Sequence, residues 1–129
     1  MMKDPLFLTV ENVLAIHARV VREFGGSPEI KDFGLLESAV IMPSAQFGGK
    51  FLHKTSAEMA GAYLFHLCQN HPFLDGNKRT ALVSAEVFLL LNGRRLQASN
   101  RELEDLTFGI AKGEISKKEA IAFFKEHIK

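Results

Sequence analysis

Within nine residues, His71-Pro72-Phe73-Leu74-Asp75-Gly76-Asn77-Lys78-Arg79, the chain gathers an imidazole, a carboxylate, a bare glycine, an amide and two cations. A neutral imidazole takes a proton from an attacking hydroxyl near physiological pH. A carboxylate holds Mg²⁺, because hard cations prefer carboxylate and phosphate oxygens. A helix starting just after Gly76 presents its first backbone N–H groups without intrahelical acceptors, at the positive end of the helix dipole. Gly76 leaves that end open, so the amides near Gly76, Asn77 and Lys78 can cradle an anion, and Lys78 and Arg79 add charge beside it. Base, metal ligand, anion cradle and cations are the working parts of a phosphoryl or nucleotidyl transferase. The stretch is not a Walker loop, since Gly76-Asn77-Lys78-Arg79-Thr80 lacks both the spaced glycines and the Lys-Ser/Thr order. Each residue also has a structural reading. Asp75 is as good a helix N-cap as it is a metal ligand, Asn77 can satisfy turn backbone, and cations on a first helical turn are usually just solvated. What sets the loop apart is that all of these occur together.

The elements that must position this loop read as helices with short connections. Thr9 caps a first helix whose apolar positions Val10, Val13, Leu14, His17, Val20, Val21 and Phe24 recur at helical spacing, and Gly25-Gly26-Ser27-Pro28 ends it. Asp32 caps a short second helix carrying Leu35, Leu36, Ala39 and Val40, stopped before Pro43. Residues 44–54 have no helical period and read as a loop or small β-hairpin around Gly48 and Gly49. A third helix runs from Thr55 or Ser56 to about Asn70. A fourth, Asn77 to Leu91, is apolar on most sides, which predicts the central helix of a bundle, and Asn92-Gly93 closes it. Ser99 or Asn100 starts a fifth helix ending by Gly113. Ser116 and Glu119 form a capping box for a sixth. The expected architecture is a single all-α domain over residues 4–127: a compact six-helix bundle with a central buried helix and a short hairpin.

The rest of the composition bounds the function. The 129 residues are too few for a two-lobed kinase or a dinucleotide domain joined to a substrate domain. Apolar residues make up 47 % and charged residues 24 %, the balance of an ordinary globule. The net charge of +1 is spread along the chain, which argues against binding nucleic acid mainly through phosphate neutralisation. The single cysteine, Cys68, excludes an intrachain disulfide and a four-cysteine zinc site, and it reads as buried among helical apolar neighbours. His17 and His66 fall on apolar stripes and read as hydrogen-bonded core histidines. The opening residues, Met1 to Val13, do not read as a leader. No apolar run exceeds five residues, so no membrane span is expected and the setting reads as cytoplasmic.

The segment His71 to Arg79 resembles the signature of the Fic/Doc (Fido) family, H-P-F-x-D/E-G-N-x-R. Phe24-Gly25-Gly26, Leu35 to Val40, Asn77 to Leu82, Leu89 to Gly93 and Gly113 to Ser116 are similar to the death-on-curing (Doc) branch. The resemblance covers nearly the whole chain. It implies a Fido-type bundle in which His71 is the general base, Asp75 binds Mg²⁺, and Gly76, Asn77, Lys78 and Arg79 form the phosphate site. AMP-transferring members usually have Gly where this chain has Lys78 and a second Arg where it has Leu82. Both departures follow the Doc pattern, which implies transfer of the γ-phosphoryl group of ATP, with a threonine of elongation factor Tu as target and arrest of translation as the result. Gln69 stands where Doc members tend to carry a basic residue, so that phosphate contact is either absent or left to another group such as Arg94 or Arg95.

Residues 46–53 fall where the family has a flap that docks its target by main-chain pairing. Phe47, Gly48, Gly49, Lys50 and Phe51 are the candidates, with Phe47, Phe51 and Leu52 equally readable as core anchors. The family's inhibitory helix carries an S/T-x-x-x-E-G/N pattern, and no stretch of this chain fits it. The resemblance therefore implies inhibition by a separate, Phd-like antitoxin chain. Two further readings stay open: an AMP transferase, and a catalytically inactive module that acts through its partner.

Overall fold

The computed structural model describes residues 4–129; Met1, Met2 and Lys3, the start of the segment read for a leader, lie outside the described residues. Its helices begin where small polar side chains allow them to. Thr9, Asp32, Thr55, Ser99 and Ser116 each accept a backbone N–H from the first turn of helices α1 (Val10–Phe24), α2 (Phe33–Ile41), α3 (Ser56–Asn70), α5 (Asn100–Ala111) and α6 (Lys117–His127). Each such cap contributes about 1 kcal/mol. Helix α4 (Asn77–Leu91) starts at Gly76 with no side-chain cap. Beyond α2 the chain makes one 3₁₀ turn, Met42–Ser44, which takes in Pro43 at its start, where a missing N–H costs nothing.

Helix α3, rather than α4, is the axis of the bundle. Ten of its fifteen residues are buried, and it packs against α2, α4, α5 and α6. Helix α4 buries seven of fifteen, and its last residues, Leu90 and Leu91, are exposed. The reason lies in residue size. Ala57, Ala60, Gly61 and Ala62 add little hydrophobicity, but they let neighbouring backbones approach. A Cβ on Gly61 would lie 2.7 Å from Ile121 Cγ1 of α6. Tyr63, at the centre of α3, is fully buried, and its hydroxyl accepts the Leu8 N–H at 2.8 Å; burial pushes the phenol up to about 12.

The loop between α2 and α3 is the expected hairpin. Strand β1 (Gln46–Phe47) pairs antiparallel with β2 (Lys50–Phe51), with Gln46 opposite Phe51 and Phe47 opposite Lys50, and it turns at Gly48 and Gly49. The two phenylalanines divide. Phe51 packs its ring on Phe7, whereas Phe47 is 85 % exposed near the tip, and Leu52 is exposed as well. Among the described residues no helix is long and apolar enough to cross a membrane.

Candidate active site

The loop from α3 to α4 begins with a strained residue. His71 closes α3 at φ 48 and ψ 55, and it is the one described non-glycine residue with positive φ. A left-handed histidine costs on the order of 1 kcal/mol, and here the conformation turns the chain off the helix and leaves the imidazole exposed. Pro72 and Phe73 then enter the core. Phe73 is fully buried, with its ring stacked on that of His17 at 3.6 Å and 6°. His17 also meets the Asp75 carbonyl through Nε2 at 2.8 Å. The buried carboxamide of Asn77 accepts the Phe73 N–H at 2.9 Å and donates to the Phe73 carbonyl at 2.8 Å. These contacts fix the loop from inside.

A second segment, between α1 and α2, fixes it from outside. Lys31 and Asp32 donate their N–H groups to the Pro72 carbonyl at 2.8 and 3.0 Å, and Leu74 N–H donates to the Glu29 carbonyl at 3.1 Å. Ile30 and Phe73 thereby form an antiparallel bridge. Ser27 N–H donates to Asp75 Oδ2 at 2.7 Å, and a Cβ on Gly26 would fall 2.8 Å from Asp75 Cβ. Lys31 Nζ reaches His71 Nδ1 at 3.2 Å.

Helix α4 opens toward this loop. Gly76 holds φ 79, which L side chains rarely adopt, and a Cβ there would press on Val20 Cγ1 at 3.3 Å. The first intrahelical bond is Thr80 N–H to the Gly76 carbonyl, so the amides of Asn77, Lys78 and Arg79 have no acceptor within the helix. With the dipole behind them, they can hold an anion. The Arg79 guanidinium lies over the Phe24 ring, its central carbon 3.7 Å from the ring centre. Lys78 leans the other way, its Nζ 5.2 Å from the centre of the Phe108 ring, over a cleft of about 500 Å³ between α4 and α5.

The structure thus brings His71, Asp75, Gly76, Asn77, Lys78 and Arg79 to one loop and helix end. Asn77 enters through its backbone, because its side chain is committed to Phe73. Asp75 is not the cap of α4; its carboxylate is exposed and turned to Ser27. Gln69 donates to the Ile110 carbonyl at 2.8 Å and is a link from α3 to α5. Arg94 and Arg95 follow the far end of α4, whose 15 residues span roughly 22 Å, so neither replaces a phosphate contact at Gln69. Cys68 is buried as expected, which pushes its thiol up to about 12. His66 is not the hydrogen-bonded core histidine that its stripe suggests: its Nε2 is buried without a partner, as is His53 Nδ1.

Three contributors to the site carry no motif signal: His17 as more than core, Ser27 and Lys31; Phe24 lies in the Phe24-Gly25-Gly26 stretch, which does not announce its place under Arg79. Ser27 and Lys31 act from a separate loop: Ser27 through its backbone N–H on the Asp75 carboxylate, and Lys31 through its N–H on Pro72 and its ammonium on His71. No cluster of three or more His, Cys, Asp or Glu side chains forms a metal cage among the described residues. One exposed carboxylate beside an anion cradle still fits Mg²⁺, which takes one or two carboxylates and completes its shell with phosphate oxygens and water.

An all-helical bundle that offers an exposed histidine, a carboxylate and an uncapped helix start on one loop has the architecture of a Fido-type transferase. The model of the Fic/DOC family matches residues 7–89, from α1 through the loop and most of α4, and the chain belongs to that family. Over 109 residues it is 37 % identical to the Protein kinase doc of Escherichia phage P1, covering 84 % of this chain and 85 % of the phage protein. Over 75 residues it is 43 % identical to the Toxin Doc of Mycolicibacterium smegmatis, covering 58 % of each chain.

Proposed function

We propose that this chain is a Doc-type toxin of the cytoplasm, whose Fido domain spans residues 4–127 and transfers the γ-phosphoryl group of ATP to a hydroxyl of a target protein. The observation that carries this reading is the convergence of the exposed His71 and Asp75 on the one α-helix start, among the described residues, that no side chain caps. His71 takes the proton of the attacking hydroxyl. A new bond forms between that oxygen and the γ-phosphorus, the bond to the β–γ bridging oxygen breaks, and ADP leaves. The amides of Asn77, Lys78 and Arg79, with the Arg79 guanidinium, hold the phosphate oxygens while charge shifts among them. Asp75 is the residue that would hold Mg²⁺, whose charge neutralises phosphate oxygens when bound.

The family resemblance supports a threonine of elongation factor Tu as the target, a Phd-like antitoxin as the partner, and arrest of translation as the effect. The exposed Phe47 at the hairpin supports docking of the target at Phe47 to Phe51. Leu82 in place of an arginine and the bulk of Lys78 favour phosphoryl over adenylyl transfer. Intact-mass measurement of elongation factor Tu after incubation with ATP, Mg²⁺ and the protein tests the reading. A phosphoryl-sized increment is expected; an adenylyl-sized increment would make the chain an AMP transferase, and no increment on any candidate target would favour an inactive module.

A further inference from the structure

Lys31 Nζ lies 3.2 Å from His71 Nδ1. An ammonium has three donors and no acceptor, so the contact requires a lone pair on Nδ1 and, in the neutral ring, the proton on Nε2. The contact is not a chance meeting of two loose side chains. The Lys31 backbone is bonded to Pro72, the residue next to His71, and Ile30 is bridged to Phe73. His71 itself is held left-handed at the end of α3. The backbone therefore holds the two residues within reach of each other.

We infer that Nδ1 is the basic atom of His71 and that Lys31 is a positioning residue which occupies its lone pair at rest. The inference rests on His71 being the base of the transfer. It adds that a target hydroxyl must displace the ammonium before it can give up its proton, so Lys31 competes with the target for the same lone pair. In the absence of target, the ammonium competes with water for the same lone pair, which disfavours transfer of the phosphoryl group to solvent.

Two measurements test this on the full chain. The first is ¹⁵N NMR of the His71 ring, which distinguishes the two tautomers. Wild type should show a proton on Nε2 and a hydrogen-bonded lone pair on Nδ1. Lys31→Arg should keep that tautomer, since a guanidinium only donates, and Lys31→Met should give a mixture. The second is single-turnover transfer to elongation factor Tu. Lys31→Met should raise the rate about three- to tenfold, the scale of one hydrogen bond to a charged, exposed group, with the KM for ATP unchanged and Lys31→Arg close to wild type. A proton on Nδ1 in wild type, a tautomer balance indifferent to Lys31→Met, or a slower Lys31→Met enzyme would overturn the inference. The NMR arm does not depend on activity: transfer absent from wild type would remove the proposed function, while the tautomer would still decide the role of Lys31.

Discussion

The Asn77 carboxamide grips the Phe73 peptide on both sides, accepting its N–H at 2.9 Å and donating to its carbonyl at 2.8 Å. A residue at the first position of α4 thus closes the loop that leads into that helix. His71 stands two residues before the closed segment and Asp75 within it, so their separation depends on this grip.

Asn77→Ala leaves a buried N–H and a buried carbonyl without partners. At about 1–3 kcal/mol for each orphaned group, partly relieved by relaxation, the loss is roughly 2–4 kcal/mol and lowers the melting temperature by about 10 °C. Thermal unfolding monitored by circular dichroism measures it. A variant with unchanged melting temperature would show that the clamp is not structural.

Phe24 is 59 % exposed, yet its ring carries the Arg79 guanidinium. Phe24→Ala removes a surface cation–π contact worth about 0.5–1 kcal/mol. The expected result is a KM for ATP raised about two- to fivefold with little change in stability, and Phe24→Tyr restores it. Steady-state kinetics at varied ATP decide this; loss of stability in place of affinity would assign Phe24 to packing.

His66 and His53 make stability depend on acid. Burial, the Lys117 charge and His53 hold His66 down at about 4, and burial followed by Lys117 lowers His53, opposed by Glu58. The folded state therefore binds fewer protons than the unfolded chain below the ordinary histidine value of about 6.5. Stability is fully present above that value and falls as pH drops from there toward about 4 for His66. Urea unfolding at pH 7.5 and pH 5 should show a lower midpoint at the acidic value, and His66→Leu should shrink the difference. An equal difference in His66→Leu would place the acid sensitivity elsewhere.

Much of this was legible in the chain because local chemistry decided it. Thr9, Asp32, Ser99 and Ser116 cap the helices they announce, and Gly48-Gly49 turns a hairpin. The loop from His71 to Arg79 was readable because its reactive residues are contiguous. The contributions of Ser27 and Lys31 were not, because they arise where a segment forty or more residues away in sequence folds against the loop. The centrality of α3 was hidden for a different reason. Hydrophobic periodicity weighs side chains, and α3 earns its place through Ala57, Ala60, Gly61 and Ala62, whose small size matters more than their hydropathy. Asp75 offered both a cap and a ligand, and the start of α4 at Gly76 with no side-chain cap removes the first reading.

The central claim is that His71 is the base for transfer of the terminal phosphoryl group. The most direct measurement is label transfer from γ-labelled and, separately, α-labelled ATP to elongation factor Tu, with wild type and His71→Ala at matched folded concentration. Label is expected from the γ position alone, with a rate for His71→Ala lower by about 100- to 10,000-fold, the range of a lost general base. Label arriving from the α position, or an undiminished rate in His71→Ala, would contradict it.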